Sequence, residues 1–258
     1  MSHILEARGL SRSFHGFHAV SRVDLSVREG SIHALIGPNG AGKTTCFNLL
    51  TRFIEPTAGR IVFRGQDITR LRADAVARLG LVRSFQISAV FAQLSVFENV
   101  RLAVQRHRGH SFDWWRSDRV LAEHDDRAHA LLAEVGLDTW SSHLAGELPY
   151  GRKRALELAT TLALEPTMLL LDEPMAGMGG EDIAQATALI RRAAAGRTVL
   201  MVEHNLSVVA DLCDRITVLA RGEVLAEGDY ASVSRDDRVV AAYLGQGVHH
   251  APEEAVHG

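Results

Sequence analysis

Apolar and polar residues alternate along the first part of the chain, residues 4–30, as Val23, Leu25 and Val27 illustrate. Alternation with a period of two is typical of strands that bury one face, so this stretch predicts antiparallel strands. Residues 167–172 and 198–203 are different, because each is an almost continuous apolar run. Such runs predict strands of a parallel sheet that is covered on both faces.

The pattern takes a helical period in the middle of the chain, where residues 92–163 hold several amphipathic runs. This change predicts an α-helical subdomain, inserted into an α/β core that is built from residues 4–91 and 164–245. The runs in the insertion are 98–108, 116–135 and 152–163. Other predicted elements are strands at 31–36, 60–63 and 81–86, turns at 55–59 and 65–67, helices at 46–52, 72–79, 181–195 and 230–244, and a hairpin of 215–220 with 223–227. The tail at 246–258 is predicted to be disordered.

Residues 37–45, with the sequence GPNGAGKTT, fit the phosphate-binding pattern G-x-x-x-x-G-K-[ST]. They lie between a predicted strand and a predicted helix, which is the context that this motif requires. Glycines allow successive N–H groups to surround phosphate oxygens, and the helix N-terminus adds the positive end of its dipole. Lys43 would reach the β- and γ-phosphates, and the Thr44 hydroxyl would hold Mg²⁺. The motif therefore predicts binding of a nucleoside triphosphate.

Polar residues stand at the ends of three other predicted strands. In a P-loop protein, Asp172 at such a position would help to hold Mg²⁺, and Glu173 would act as general base toward the attacking water. His204 follows the strand 198–203 and would orient that water, since ligands gather at the carboxyl ends of strands in open α/β sheets. Gln86 would sense the γ-phosphate or the metal. The alternative is a pair of solvated acids and a structural histidine.

Length and composition limit the classes of function. The 258 residues, of which 47% are hydrophobic, suffice for a single large α/β domain over 1–258. A net charge of −3 gives no basic signature, so no nucleic-acid partner is expected. Two cysteines are too few for a disulfide framework. No signal peptide and no apolar stretch of membrane-spanning length is found, so any membrane role is expected to depend on a partner.

The order of these motifs resembles the ATP-binding subunits of ABC transporters, over about residues 4–245. More narrowly, the chain is similar to the ATPase subunits of branched-chain amino-acid importers. That similarity is carried by LPYGR at 148–152, MAGM at 175–178, VEHN at 202–205 and AYLG at 242–245. The resemblance implies an α/β P-loop NTPase (RecA-like) core with an N-terminal antiparallel β-subdomain and an inserted α-helical subdomain. It also implies ATP hydrolysis coupled to transport, with ATP and Mg²⁺ bound.

The resemblance assigns site residues position by position. Phe14 would stack on adenine, with Phe17 and a core role for the aromatic ring as alternatives. Mg²⁺ would be held by Thr44, Asp172 and Gln86; Glu173 would be the catalytic base, with Gln86 and His204 as switch residues. The phosphate-binding residues would be Gly37, Pro38, Asn39, Gly40, Ala41, Gly42, Lys43, Thr44 and Thr45.

In this family two ATPase subunits face each other head to tail, and ATP lies between one P-loop and the other subunit's signature. The signature residues here are Leu148, Pro149, Tyr150, Gly151 and Arg152. Pro149 replaces the usual serine and Tyr150 a usual glycine, so an altered but working half-site is expected. Gly179 stands where the family often carries Asn or Asp, so whether that side-chain contact across the dimer is made stays open.

The resemblance implies further partners: two transmembrane permease subunits, which dock on the helical subdomain, and a periplasmic or extracellular substrate-binding protein. The expected location is the cytoplasmic face of the bacterial inner membrane. Trp114 and Trp115 either dock on the membrane subunits or pack on their own subdomain. The transported substrate and the choice between identical and different ATPase partners stay open.

Two alternative functions are kept. One is the ATPase of a lipid or lipopolysaccharide exporter, which the form of the signature and the C-terminal residues disfavour. The other is a soluble ABC ATPase of the ribosome or of DNA repair, which a single cassette without a heptad run or basic patch disfavours.

Overall fold

The computed structural model describes residues 2–84, 90–107 and 118–244. The strands are β1 (His3–Phe14), β2 (Phe17–Arg28), β3 (Ile32–Ile36), β4 (Ala58–Phe63), β5 (Gln66–Asp67), β6 (Leu81–Ser84), β7 (Met168–Asp172), β8 (Thr198–Val202), β9 (Arg215–Ala220) and β10 (Glu223–Gly228). The helices are α1 (Lys43–Leu50), α2 (Ala73–Arg78), α3 (Val96–His107), α4 (Asp118–Val135), α5 (Tyr150–Leu162), α6 (Gly180–Ala193), α7 (Leu206–Leu212), α8 (Tyr230–Val233) and α9 (Asp237–Leu244). Short 3₁₀ turns occupy Asp138–Trp140 and Ala145–Glu147. Within the described ranges no helix combines the length and the apolar character that crossing a bilayer would require.

The strands form two sheets. The first is antiparallel, with the order β2-β1-β4-β5, and it contains the two strands predicted from the alternation at 4–30. The second has the order β10-β9-β3-β8-β7-β6. Its strands β9, β3, β8, β7 and β6 are parallel, and β10 joins one edge as the antiparallel half of a hairpin. The carboxyl ends of β3, β7 and β8 consequently meet at one edge of this sheet.

Strands β3, β7, β8 and β9 of the parallel sheet each place buried apolar residues in two different hydrophobic clusters. Leu169 and Leu171 of β7 join one cluster with buried residues of α3, α4 and α5. Met168 and Leu170 point the other way, into a cluster with α1 and the antiparallel sheet. Burying side chains of this size contributes roughly 1.5–3 kcal/mol each. This double burial accounts for the continuous apolar runs in the sequence.

Several elements differ from the prediction. The turn predicted at 65–67 contains the two-residue strand β5, which pairs with Val62 and Phe63 of β4. Helix α7 was not predicted; its N-cap is Asn205, whose side chain accepts hydrogen bonds from two backbone N–H groups. The single helix predicted at 230–244 is two helices, α8 and α9. The bounds of the core and of the inserted helical subdomain stay predictions.

A buried histidine is expected to make the fold sensitive to acid. His33 on β3 is fully buried, and its Nε2 lies 2.8 Å from the Thr217 hydroxyl. Burial, reinforced by the positive charges of Arg215 and Arg28, lowers the pKa of His33 from 6.5 to about 3. The native state therefore keeps this ring neutral, whereas the unfolded state binds a proton below pH 6.5. Stability is retained above pH 6.5 and is lost as the pH falls toward 3, by about 1.4 kcal/mol per pH unit from this one site.

We therefore expect His33→Gln to lose about 2 kcal/mol less stability than the wild type between pH 7.5 and pH 5. Urea denaturation of both proteins at the two pH values measures this difference. Parallel losses in the two proteins would show that His33 is not the group that titrates.

Candidate active site

The phosphate-binding motif forms the loop between β3 and α1, as predicted. Lys43 is buried, and its ammonium donates hydrogen bonds to the carbonyls of Gly37 (2.7 Å) and Pro38 (3.0 Å). Thr44, the second residue of α1, is exposed, so its hydroxyl is free to meet a ligand. Burial lowers the pKa of Lys43, and the carboxylates of Glu173 and Asp172 oppose that shift. The lysine thus lies in the electric field of both predicted acids.

Asp172 ends β7 as a buried carboxylate and pairs with a cation that the sequence did not single out. Arg83 on β6 donates one hydrogen bond to the Asp172 carboxylate and a second, of 2.5 Å, to Oδ1 of Asn48 on α1. Both side chains of the ion pair are largely buried, with 12% of Arg83 and 5% of Asp172 exposed. Arg83 therefore ties the acid to the helix that follows the phosphate loop. The sequence did offer one signal for this ion pair: Arg83 lies in a predicted strand, and charged residues are rarely buried unless they are paired.

Glu173 and His204 stand at the ends of adjacent strands. Glu173 donates its N–H to the carbonyl of Val202 (2.9 Å), which extends the pairing of β7 with β8 by one residue. Its φ of 48° lies in the left-handed region, which is uncommon for a residue other than glycine and is often found at functional sites. His204, the second residue after β8, is exposed. The topology thus places Glu173 and His204 after adjacent strands, and β8, which precedes His204, lies between β7 and the strand β3 that leads into the phosphate loop.

The LPYGR segment forms the start of α5. Pro149 is the N-cap residue, and its side chain makes no capping hydrogen bond. The Tyr150 hydroxyl donates to the carbonyl of Ala176 (2.9 Å) and accepts from Arg154 (3.0 Å). Arg154 also pairs with Glu157 at 2.8 Å. This chain of contacts joins the start of α5 to the loop that follows Glu173.

The other residues of the LPYGR segment are Leu148, Arg152 and Gly151. Leu148 is buried, and the Arg152 guanidinium lies over the Trp140 ring at 3.8 Å from its centroid, which is cation–π geometry. A Cβ added at Gly151 would lie 3.7 Å from the Asp182 carboxylate.

Comparison with known proteins identifies the family. The family model described as ABC transporter matches residues 20–176, more than half of the chain. The chain belongs to the ABC transporter family. A second family model, described as branched-chain amino acid ATP-binding cassette transporter, matches residues 223–249.

Individual relatives align with nearly the whole length of this ABC family member. It is 39% identical to the high-affinity branched-chain amino acid transport ATP-binding protein BraF of Pseudomonas aeruginosa, over 94% of this chain and 98% of that one. It is 37% identical to the corresponding protein LivG of Escherichia coli, with the same two coverages. Among solved structures it resembles the ADP conformation of MJ1267, an ATP-binding cassette of an ABC transporter. The TM-score is 0.82 at 27% identity, over 95% of this chain and 100% of that one. The predicted family, its α/β P-loop fold and its ATPase class are thereby confirmed.

Phe14, the predicted adenine contact of this ABC ATPase, lies at the end of β1, opposite Phe17 of β2. The residue is 38% exposed and is not part of the buried core, which contradicts the alternative of a core aromatic. The Arg12 guanidinium covers one face of the ring, 4.6 Å from its centroid. The same hairpin passes the phosphate loop, since the Ala19 carbonyl lies 2.5 Å from where a Cβ on Gly42 would stand. Phe14 and Phe17 both stay candidates for stacking on a base.

Three of the predicted features lie outside the described residues: Gln86, the Trp114–Trp115 pair and the tail. Among the described residues, the structure brings Lys43, Thr44, Asp172, Glu173 and His204 to one sheet edge. The roles assigned to all of these residues stay predictions.

Proposed function

We propose that this ABC ATPase is the energy-coupling subunit of an importer for branched-chain or other amino acids. The observation that carries the proposal is the double match: the cassette itself at 20–176, and residues 223–249 to a branched-chain amino acid transporter family. The names of BraF and LivG support the same substrate class. The chain contributes ATP hydrolysis, and the substrate would pass through other subunits.

The proposed chemistry uses the edge where β3, β7 and β8 end. ATP would place its phosphates on the loop 37–45, with Lys43 neutralising charge on the β- and γ-phosphates. Glu173 would take a proton from a water molecule whose oxygen attacks the γ-phosphorus, so that the bond to ADP breaks and inorganic phosphate leaves. His204, on the neighbouring strand end, would orient that water.

The residues at this edge fit a magnesium ion. The Asp172 carboxylate and the exposed Thr44 hydroxyl supply oxygen atoms, the ligand type that Mg²⁺ prefers, and Gln86 is proposed as a third contributor. When bound, the ion would neutralise negative charge on the β- and γ-phosphates. Arg83 on the neighbouring strand β6 already forms an ion pair with Asp172, so the carboxylate is oriented by the protein itself.

A second ATPase subunit is proposed to complete the site. Pro149 has no hydroxyl that could contact the partner's ATP. The start of α5 would instead face that ATP with backbone N–H groups, since the first N–H groups of a helix have no partner within the helix. Two permease subunits and an extracytoplasmic binding protein are the other proposed partners. These would place the chain at the cytoplasmic face of the membrane.

Uptake measurements in the source cell test the proposal. Deleting the gene is expected to abolish high-affinity uptake of labelled leucine, isoleucine and valine. A plasmid copy of the wild-type gene should restore uptake, and a copy with Glu173→Gln should not, although the protein is made to the same level. Uptake of arginine, glutamate and urea, measured in parallel, defines the range of substrates.

Unchanged uptake of all these solutes in the deletion strain would contradict import. Accumulation of a lipid or lipopolysaccharide precursor in the same strain would favour the exporter instead. A loss that the Glu173→Gln copy repairs as well as the wild type would contradict the energy-coupling role.

A further inference from the structure

Glu203 is a buried carboxylate that the proposed hydrolysis does not use. It follows β8 directly, and none of its surface is exposed to solvent. Burying a charge is unfavourable unless hydrogen bonds compensate for the lost water. The contacts of Glu203 therefore show what this carboxylate holds in place.

Both oxygens of Glu203 accept hydrogen bonds from backbone N–H groups, and the donors belong to two different loops. Oε1 accepts from Met175 at 3.0 Å. Oε2 accepts from His204 at 3.0 Å and from Asn205 at 3.2 Å. One side chain thus bridges the loop after β7 and the loop after β8.

The first of these loops carries the proposed base. The turn is closed by a hydrogen bond from the Ala176 N–H to the Glu173 carbonyl (3.0 Å), and Met175 lies inside it. Glu173 has a φ of 48°, a conformation that persists only where the surroundings enforce it. The bond from Met175 to Glu203 is one such constraint, because it anchors the turn two residues after Glu173.

The second loop carries the proposed switch residue. The backbone N–H of His204 itself is held by Glu203, and the next residue, Asn205, begins α7 by accepting hydrogen bonds from Ser207 and Val208. The direction in which His204 leaves the sheet is therefore fixed on one side by Glu203 and on the other by the start of α7.

We propose that Glu203 is a positioning residue for ATP hydrolysis, which sets the distance between Glu173 and His204 without touching the nucleotide. The inference rests on the proposed roles of those two residues. It predicts that Glu203 governs the hydrolytic step and leaves nucleotide binding alone, since neither the loop 37–45 nor Lys43 is among its hydrogen-bond partners.

The isosteric change Glu203→Gln tests this inference. An amide has one acceptor oxygen, so its NH₂ group would face an N–H donor of one loop and push that loop away. The expected result is a fall in kcat of about 10- to 100-fold, the range for a misplaced catalytic group. The Kd for ATP, measured with a fluorescent analogue, should stay within twofold of the wild type.

Two further variants separate positioning from general damage. His33→Gln changes another fully buried polar residue of the same sheet, at a site away from the loops, and should keep kcat within twofold at pH 7.5. In a His204→Ala background, Glu203→Gln should lower kcat by a smaller factor than in the wild type, because part of its effect acts through His204.

A folded Glu203→Gln protein with the kcat of the wild type would overturn the inference, and so would equal losses of kcat and ATP affinity. If that variant does not fold, Glu203→Asp takes its place, since it keeps the charge but shortens the reach by one methylene. Its expected result is also a lower kcat at unchanged Kd, and a normal kcat would again overturn the inference. A wild-type chain that binds but never hydrolyses ATP would contradict the proposed function itself. That result differs from failure of the inference on Glu203, in which the wild type hydrolyses ATP and the variant does so equally well.

Discussion

Glu173→Gln is expected to lower ATP turnover by about 10²- to 10⁴-fold, the usual contribution of a general base. The amide keeps the size and shape of the side chain but cannot accept the proton of the attacking water. ATP binding should persist, because Lys43 and the loop around it are unchanged. Steady-state phosphate release and equilibrium binding of labelled ATP, made on the same preparation, measure the two quantities. The variant should also accumulate as an ATP-bound dimer in size-exclusion chromatography.

Glu29→Gln is the matched control, because it makes the same chemical change on an exposed residue before β3, at the opposite end of the strand from the phosphate loop. Its turnover should equal that of the wild type. If Glu173→Gln turned over ATP within threefold of the wild type, another group would have to be the base. A simultaneous loss of ATP binding would indicate a damaged fold rather than a missing base.

The parts of the site that the sequence could predict share one property, which is that each stands at the end of a strand with its own local pattern. The loop at 37–45 follows one buried strand, Asp172 is the last residue of a second, and His204 lies two residues after a third. Parallel strands end at the same edge of a sheet, so these positions converge once the apolar runs are recognised. The antiparallel strands at residues 4–30 were predictable for a similar reason, because alternation is visible within a dozen residues.

The contacts that hold those residues have no local pattern and were missed. Arg83 and Asp172 are 89 positions apart, and the Tyr150 hydroxyl reaches a carbonyl 26 positions away. Neither pairing leaves a period in the sequence, because each depends on how strands and helices pack. Strand β5 was missed for a related reason, since two residues pair only where the register of β4 brings a partner.

Tyr150 shows how structure changes the interpretation of an unusual residue. From the sequence, a tyrosine in a glycine position predicts only an altered signature. In the structure its hydroxyl donates a hydrogen bond to the carbonyl of Ala176. The N–H of Ala176 in turn donates to the carbonyl of Glu173 and closes the turn there. The residue that departs from the family pattern is therefore one that connects the start of α5 to the loop that follows Glu173.

Gly37→Ala is expected to destabilise the protein by at least about 3 kcal/mol, or to prevent folding. Gly37 is buried with a φ of 149°, and an added Cβ would stand 2.1 Å from the backbone oxygen of Leu219 on β9. A backbone atom of a paired strand cannot rotate away, so either β9 or the phosphate loop must shift. The Gly37 carbonyl also accepts a hydrogen bond from Lys43, and ATP affinity should therefore fall with stability. In thermal unfolding, a loss of this size lowers Tm by about 6–12 °C.

Gly40→Ala supplies the comparison within the same loop. Gly40 is exposed with a φ of 75°, and an added Cβ there would meet no atom within 4 Å from the described part of the chain beyond the two adjacent residues. Alanine at this position carries only the strain of the left-handed conformation, about 1–2 kcal/mol, so its Tm should fall by about 2–8 °C, less than that of Gly37→Ala. Equal melting temperatures for the two variants would show that the loop can move away from β9. Packing of the phosphate loop against β9 would then not be what fixes the Gly37 carbonyl, which accepts the hydrogen bond from Lys43.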